Sequence, residues 1–389
     1  MLTDFPAMDL FGPEICRNPY PIYARLRRDH PIYYDQAKNF WLFSRHAHVA
    51  QVLRDGDAFS SALPPHGKHP LLAADGPAHA RLRRKIAPLF AAQRVRELTG
   101  LIRLVADRLV APIADRRSCE LISDVGAPLP ATVVAALLGI ELDRAGDIAR
   151  WSDSIAHCLD PSPSSNELAI LRRHRAECAS FVGEFIRTLK RTGSDHLLVS
   201  AMQGDAVDEP ITHEDMTEIV ILLIIAGNIT TTNLLANSML VMVQFPEWHE
   251  ILRRDPQKIP AFVDEVLRYD SPIQRIWRRN VRETCIADVL IPAEARLLLL
   301  VGSANHDEDV FPEADRVQLC RAQNHLAFGW GPHFCLGAQI GRIEVAAALE
   351  CFLKYLPPPS RADPEKQIEY VPSLLEVRGP RKLDLVFSY

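Results

Sequence analysis

The stretch Phe328-Gly329-Trp330-Gly331-Pro332-His333-Phe334-Cys335-Leu336-Gly337 places one cysteine in a glycine-rich turn, and a helical pattern over residues 338–355 follows at once. Gly329 and Gly331 let the backbone bend tightly, and Gly337 lets it pass close to something flat. A cysteine at a helix start sits among unpaired backbone N–H groups and the positive end of the helix dipole, which favour thiolate over thiol. A shielded thiolate of this kind suits a haem iron as an electron-donating axial ligand. A buried structural cysteine is the plainer reading of the same residues.

Working outward, the chain has 389 residues, 48% of them hydrophobic, enough for a substantial core. A net charge of −5 gives no sign of a nucleic-acid surface. The eight cysteines are scattered and show no C-x-x-C pair. That argues against a zinc site or a disulfide framework and fits a reducing compartment. Residues 1–21 show no signal-peptide pattern, and no apolar run approaches a bilayer span, so a cytoplasmic protein without a membrane anchor is expected.

Helical spacing covers residues 21–30, 46–54, 78–90, 95–113, 128–138, 143–158, 167–191, 195–202, 213–245 and 260–269. Residues 32–34 and 40–43 read as a strand pair, residues 276–301 as a small mixed sheet, and residues 383–387 as a strand. Residues 60–77, with Pro64, Pro65, Gly67, Pro70 and Gly76, read as a long binding loop, and residues 160–165 as a flexible joint. The whole span 1–389 reads as one mainly α domain rather than alternating βα units.

The longest helical pattern, residues 213–245, opens on Thr212 and Asp215 as in a capping box, and Pro246 ends it. Its middle is apolar on all sides and should run through the core. There it holds Ala226-Gly227-Asn228-Ile229-Thr230-Thr231. A glycine inside a helix costs about 1 kcal/mol relative to alanine, and three successive threonines add strain. A ligand pressed against the helix explains this, with hydroxyls bonding i−4 carbonyls and opening a groove. A slightly kinked core helix explains it too.

Taken together, these segments resemble the cytochrome P450 family. The cysteine stretch fits that family's haem-binding loop, F-G-x-G-x-[H/R]-x-C-x-G, in full. Ala226, Gly227, Thr230 and Thr231 match its oxygen-binding segment, with Ile229 where an acid is usual. Glu265-Val266-Leu267-Arg268 matches E-x-x-R, and Asp75 to Arg83 resembles D-P-P-x-H-x-x-x-R. The resemblance covers nearly the whole chain. It implies a large helical domain with small β-sheets and a long central helix over haem b.

By that resemblance, Cys335 is the iron ligand, with Ala226, Phe328, Gly329 and Gly337 against the haem. His79, Arg83, Arg278 and His333 pair its propionates, Arg279 being the alternative to Arg278. Thr230 serves dioxygen, with Gly227 and Asn228 beside it. Isoleucine can neither take up nor release a proton, so Asn228, water or a substrate group has to stand in for the acid. Glu265 and Arg268 brace the cysteine loop.

The activity implied is monooxygenation of a small to medium lipophilic substrate, such as hydroxylation in secondary metabolism. The chain shows no flavin- or nicotinamide-binding strand–turn–helix, so the electrons are expected from a ferredoxin and its reductase, with Arg81, Arg84, Lys85 and Arg342 as contacts. The pocket walls are expected from residues 60–74, residues 151–171, Ile225, Ala226 and residues 273–276. Terpenoids, polyketides, fatty acids and carrier-bound acyl groups all stay open, and a monomer is expected. Ile229 keeps open two alternatives: a peroxide-using or nitric-oxide-reducing haem-thiolate enzyme, and a non-catalytic haem sensor.

Overall fold

A computed structural model describes residues 12–63, 69–157, 164–204, 209–370 and 377–388. Pro64, Pro65 and Gly67 of the expected binding loop, and most of the expected joint at 160–165, lie outside the described residues. The fold is built around the helix His213–Gln244. Thr212 caps it, its Oγ1 accepting the Asp215 N–H at 3.0 Å, and Pro246 lies just beyond its end. Among the described residues it is the one helix long and apolar enough to cross a membrane by length and composition. More than half of that apolar window is nevertheless buried in protein. The helix packs on Pro128–Leu138, Ala145–His157, Ser165–Arg191 and Ala338–Tyr355, which bury Ile219, Val220, Ile221 and Ile224 on all its sides. This is the geometry expected of a helix with no polar face.

The helix after the cysteine, Ala338–Tyr355, is also central. It packs on Ala92–Val110 and Ile259–Tyr269 through Val345, Leu349 and Phe352. Its Glu344 is 2% exposed, and Oε2 has no hydrogen-bond partner. Burial alone pushes this carboxyl well above the usual range. The folded chain therefore holds this proton to higher pH than the unfolded chain does. Stability from this group is complete below the ordinary glutamate range and is lost as pH rises toward the raised value. Glu344→Gln removes that dependence. Thermal melts between about pH 5 and about pH 8 are expected to show wild type losing ground to the variant as pH rises, and parallel curves would refute the assignment.

Among the described residues, ten short strands complete the fold. They are β1 (Ile32–Asp35), β2 (Phe40–Phe43), β3 (Phe59–Ser60), β4 (Ser118–Glu120), β5 (Ile276–Asn280), β6 (Thr284–Ile286), β7 (Val289–Ile291), β8 (Arg296–Leu299), β9 (Pro359–Arg361) and β10 (Asp384–Phe387). β1 and β2 form the expected hairpin, with Ile32 opposite Phe43. It joins a five-stranded sheet in the order β1-β2-β8-β5-β3, in which β2 and β8 run parallel. β4, β10 and β9 make a second sheet, and β6 and β7 a separate hairpin.

The expected sheet over residues 276–301 is thus divided between the five-stranded sheet and the hairpin. Strand alternation along β5 decides between its two arginines. Arg278 is buried, whereas Arg279 turns outward to Glu294 at 2.6 Å.

The E-x-x-R pair is a buried brace. Arg268 Nε and Nη2 donate to Glu265 Oε2 and Oε1 at 2.9 and 2.8 Å. Arg268 also donates to the carbonyls of Asn305, Ala314 and Arg316. Glu265 Oε1 accepts from the Gln318 N–H and from Arg321 Nε at 3.0 Å. The pair therefore pins residues 305–321, the segment leading into the cysteine loop. Asn305 continues the link, since its Oδ1 accepts the Leu326 N–H at 2.7 Å.

Candidate active site

The cysteine loop is shaped by its glycines. Gly329 and Gly331 both have φ of +71°. A Cβ on Gly331 would lie 2.6 Å from the Leu53 carbonyl oxygen, so both backbone angle and space demand glycine there. The Cys335 N–H donates to the Phe328 carbonyl at 3.0 Å, and the Phe334 N–H to the Gly331 carbonyl at 3.1 Å. Gly337 differs, because an added Cβ would meet nothing closer than Phe90 at 3.9 Å. Protein packing does not explain that glycine, whereas a flat group lying over it would.

Cys335 is exposed. Burial by the surrounding protein nevertheless raises its thiol pKa, outweighing the Gly337 and Ala338 N–H groups and the charges of Arg83 and Arg342. The N–H groups at the helix start act in the expected direction, toward thiolate. The donors lower the cost of the anion without overturning desolvation, and a bound metal cation is what deprotonates such a thiol.

Four basic side chains converge beside this loop, drawn from three parts of the sequence. The rings of His79 and His333 stack with centroids 3.9 Å apart. Arg83, one turn beyond His79, donates to the Phe334 carbonyl. Arg278 reaches the same cluster from β5. It is 7% exposed and donates to the carbonyl of its own neighbour Trp277. Burial lowers its pKa to about 10, with Asp75 pulling the other way. Burial, then the charges of His333 and Arg83, push His79 down to about 4, and a neutral imidazole still offers an N–H to an anion. A buried arginine among further cations, with one carboxylate nearby, is short of negative charge.

The central helix presents the third wall. Ala226, at the middle of a core helix, is exposed, and Ile229 and Thr230 are partly so, whereas Asn228 is 2% exposed. Thr230 Oγ1 donates to the Ala226 carbonyl at 2.9 Å, as the sequence suggested. The helix stays continuous through this region, so the groove expected from those bonds does not form.

Two assignments fail on geometry. A Cβ on Gly227 would lie 2.7 Å from Val134 Cγ2, so close helix packing explains this glycine. Asn228 turns toward Thr232, whose hydroxyl also reaches the Gly126 carbonyl at 2.6 Å. It is therefore not placed on the Ala226–Thr230 face, where a replacement for the missing acid would have to stand. The cysteine helix meets the central helix one residue beyond Thr230, with Thr231 Oγ1 3.5 Å from where a Gly341 Cβ would sit.

Residues 169–375 match the family model described as Cytochrome P450. The chain is 30% identical to cytochrome P450 109 of Bacillus spizizenii, over 95% of this chain and 92% of that protein. The chain belongs to the cytochrome P450 family. It is likewise 31% identical to the vitamin D(3) 25-hydroxylase of Pseudonocardia autotrophica, over 88% of this chain and 87% of that protein. The structure of cytochrome P450 CYP109Q5 from Chondromyces apiculatus superposes with a TM-score of 0.86 at 33% identity, covering 98% of both chains.

As a cytochrome P450 the protein is a haem-dependent monooxygenase. The residues present fit that group. The exposed cysteine, a glycine at 337 that protein crowding does not demand and the shortage of negative charge around Arg278 match an iron, a flat ring and its carboxylates in turn.

Three residues of this P450 site were not assigned from sequence. Asp75 and Ser61 contact His333, at 3.3 and 3.1 Å, and Arg321 completes the Glu265 brace. Asp75 had a signal, being the first residue of the histidine–arginine motif. Ser61 and Arg321 had none beyond their chemistry.

Of the expected partner contacts, Arg342 is bound to Asp264 at 2.6 Å and lies over the Phe328 ring. Arg81 and Lys85 donate to the carbonyls of Glu209 and Gln203. Trp151, expected in the pocket wall, is instead buried against Phe181.

Proposed function

We propose that the chain is a haem b monooxygenase with Cys335 as sulfur ligand. On this reading it inserts one atom of dioxygen into a small to medium lipophilic substrate, with electrons from a separate ferredoxin and reductase. The observation that carries the reading is the placement of an open cysteine sulfur beside four convergent basic side chains with a single carboxylate among them. When bound, haem supplies the activation of dioxygen by two electrons. The Gly337 and Ala338 N–H groups steady the sulfur, and His79, Arg83, Arg278 and His333 hold the haem carboxylates. Gly329 and Gly331 give the loop its shape, while Phe328, Gly337 and Ala226 border the ring.

Thr230 is the polar side chain on the open face of the central helix. Its hydroxyl, now given to the Ala226 carbonyl, is the proton-bearing group to turn toward dioxygen. Ile229 beside it brings no acid. Ile229→Asp is therefore expected to raise product formed per dioxygen consumed by about two- to tenfold, with little change in substrate affinity. If both enzymes give the same ratio of product to oxygen uptake, Ile229 has no part in coupling.

A lipophilic substrate follows from the walls near Ile225, Ala226 and Ile273. P450BioI, similar at 29% identity and a TM-score of 0.87, is known in complex with an acyl carrier protein bearing hexadec-9Z-enoic acid. That keeps a carrier-bound acyl chain among the substrate classes. A cytoplasmic, monomeric enzyme in secondary metabolism belongs to the same reading.

The lack of an acid at position 229 favours a second reading, in which peroxide replaces dioxygen and electrons. Spectral titration of the ferric protein with lipophilic compounds identifies ligands. Turnover with ferredoxin, reductase and NADPH, against peroxide alone, then separates the two. Product with the electron chain is expected, and product from peroxide with none from the electron chain would overturn the first reading.

A further inference from the structure

Among the described residues Asp75 is the one carboxylate bonded within the basic cradle, and its contacts are specific. Oδ2 accepts from the Ser60 hydroxyl at 2.6 Å and from the Ser61 N–H at 3.0 Å. Oδ1 accepts from the same N–H at 3.1 Å and lies 3.3 Å from His333 Nε2. The Ser61 hydroxyl reaches that nitrogen too, at 3.1 Å. Asp75 therefore touches the helix start before His79 and Arg83 and the loop of His333, and it reaches the strand of Arg278 through Ser60. It stands four residues before His79, on the start of the helix that carries His79 and Arg83. It holds the cysteine loop through His333. It holds the end of β3 through Ser60 and Ser61, and β3 is laddered to β5, where Ser60 pairs with Arg279 beside Arg278. A carboxylate in that place also puts a fixed negative charge next to a site that itself binds carboxylates.

We propose that Asp75 is a positioning residue for the haem. It fixes the His333 ring and ties the three cation-bearing segments together, and its charge biases the iron toward the ferric state. This rests on the reading that Cys335 and the four basic side chains hold haem. A charge near the ring acts on the reduction potential because the ferrous form carries one more electron. Removing a negative charge stabilises that form and raises the potential. Retention is expected to move the other way. Several charge-assisted hydrogen bonds order the cations, whereas Asp75 opposes the haem carboxylates by one partly solvated charge.

The test uses the holoprotein. Asp75→Asn keeps the shape and removes the charge. Ser60→Ala keeps the charge and removes one of the bonds that place it. Three quantities are read: the midpoint potential by redox titration, the rate of haem loss to apomyoglobin, and the melting temperature. Asp75→Asn is expected to raise the potential and speed haem loss about tenfold. Ser60→Ala is expected to speed haem loss less, with a smaller shift in potential. A lower melting temperature with wild-type potential and haem loss would mark Asp75 as merely structural and overturn the proposal. So would slower haem loss in Asp75→Asn. These failures leave the wild-type haem-thiolate spectrum intact. Failure of the underlying reading removes that spectrum from wild type itself.

Discussion

Glu265→Ala is expected to destabilise the protein by about 3–5 kcal/mol, the range for removing one partner of a buried ion pair. The side chains of Glu265 and Arg268 are 4% and 2% exposed. Removing the carboxylate strands two guanidiniums together, since Arg321 shares the same oxygen. The Gln318 N–H loses its acceptor as well. Residues 305–321 then lose their anchor, and with them the approach to the cysteine loop. A lower urea midpoint and poor haem content on expression are the expected results. Replacing Glu265 and Arg268 together by apolar residues of similar volume is expected to recover part of the loss, because the cost comes mainly from the uncompensated charge. A wild-type midpoint for Glu265→Ala would show that the brace carries no stability.

The second large effect is on chemistry. Cys335→Ser keeps the loop geometry, because the Cys335 N–H bond to Phe328 and the turn at Gly331 do not involve the sulfur. It replaces a thiolate by a hydroxyl that does not ionise in this pH range and donates far less charge to iron. Monooxygenation is expected to fall by about three orders of magnitude or more, with the four basic side chains and the fold unchanged. Retained activity would move the reaction away from Cys335.

The cysteine loop was legible in the sequence because each of its demands is local. Two glycines answer positive φ, and the sulfur lies between the turn and the helix start. The helices Pro128–Leu138 and Ala338–Tyr355 were legible because a proline or glycine stands at one end and the apolar period runs between.

What escaped depended on neighbours distant in the chain. A glycine at 227 looks the same whether a ligand or Val134 presses on it, and Val134 belongs to another helix. Asn228 suggested proton transfer by type alone, and its burial is a matter of packing against Thr232. Arg278 and Arg279 are adjacent and alike until the strand alternates them. The helix Glu247–Arg254 was missed because Pro246 was read as an end, although the same proline starts the next helix. The strand Ser118–Glu120 is too short to show a period and exists through pairing with the C-terminal Asp384–Phe387.

The most direct test of the account is the absorption spectrum of the purified, undenatured wild-type protein, reduced and exposed to carbon monoxide. Sulfur ligation by Cys335 predicts a strongly red-shifted Soret band, lost in Cys335→Ser. A Soret band at the position given by nitrogen ligation, or a red-shifted band that survives the substitution, would contradict it.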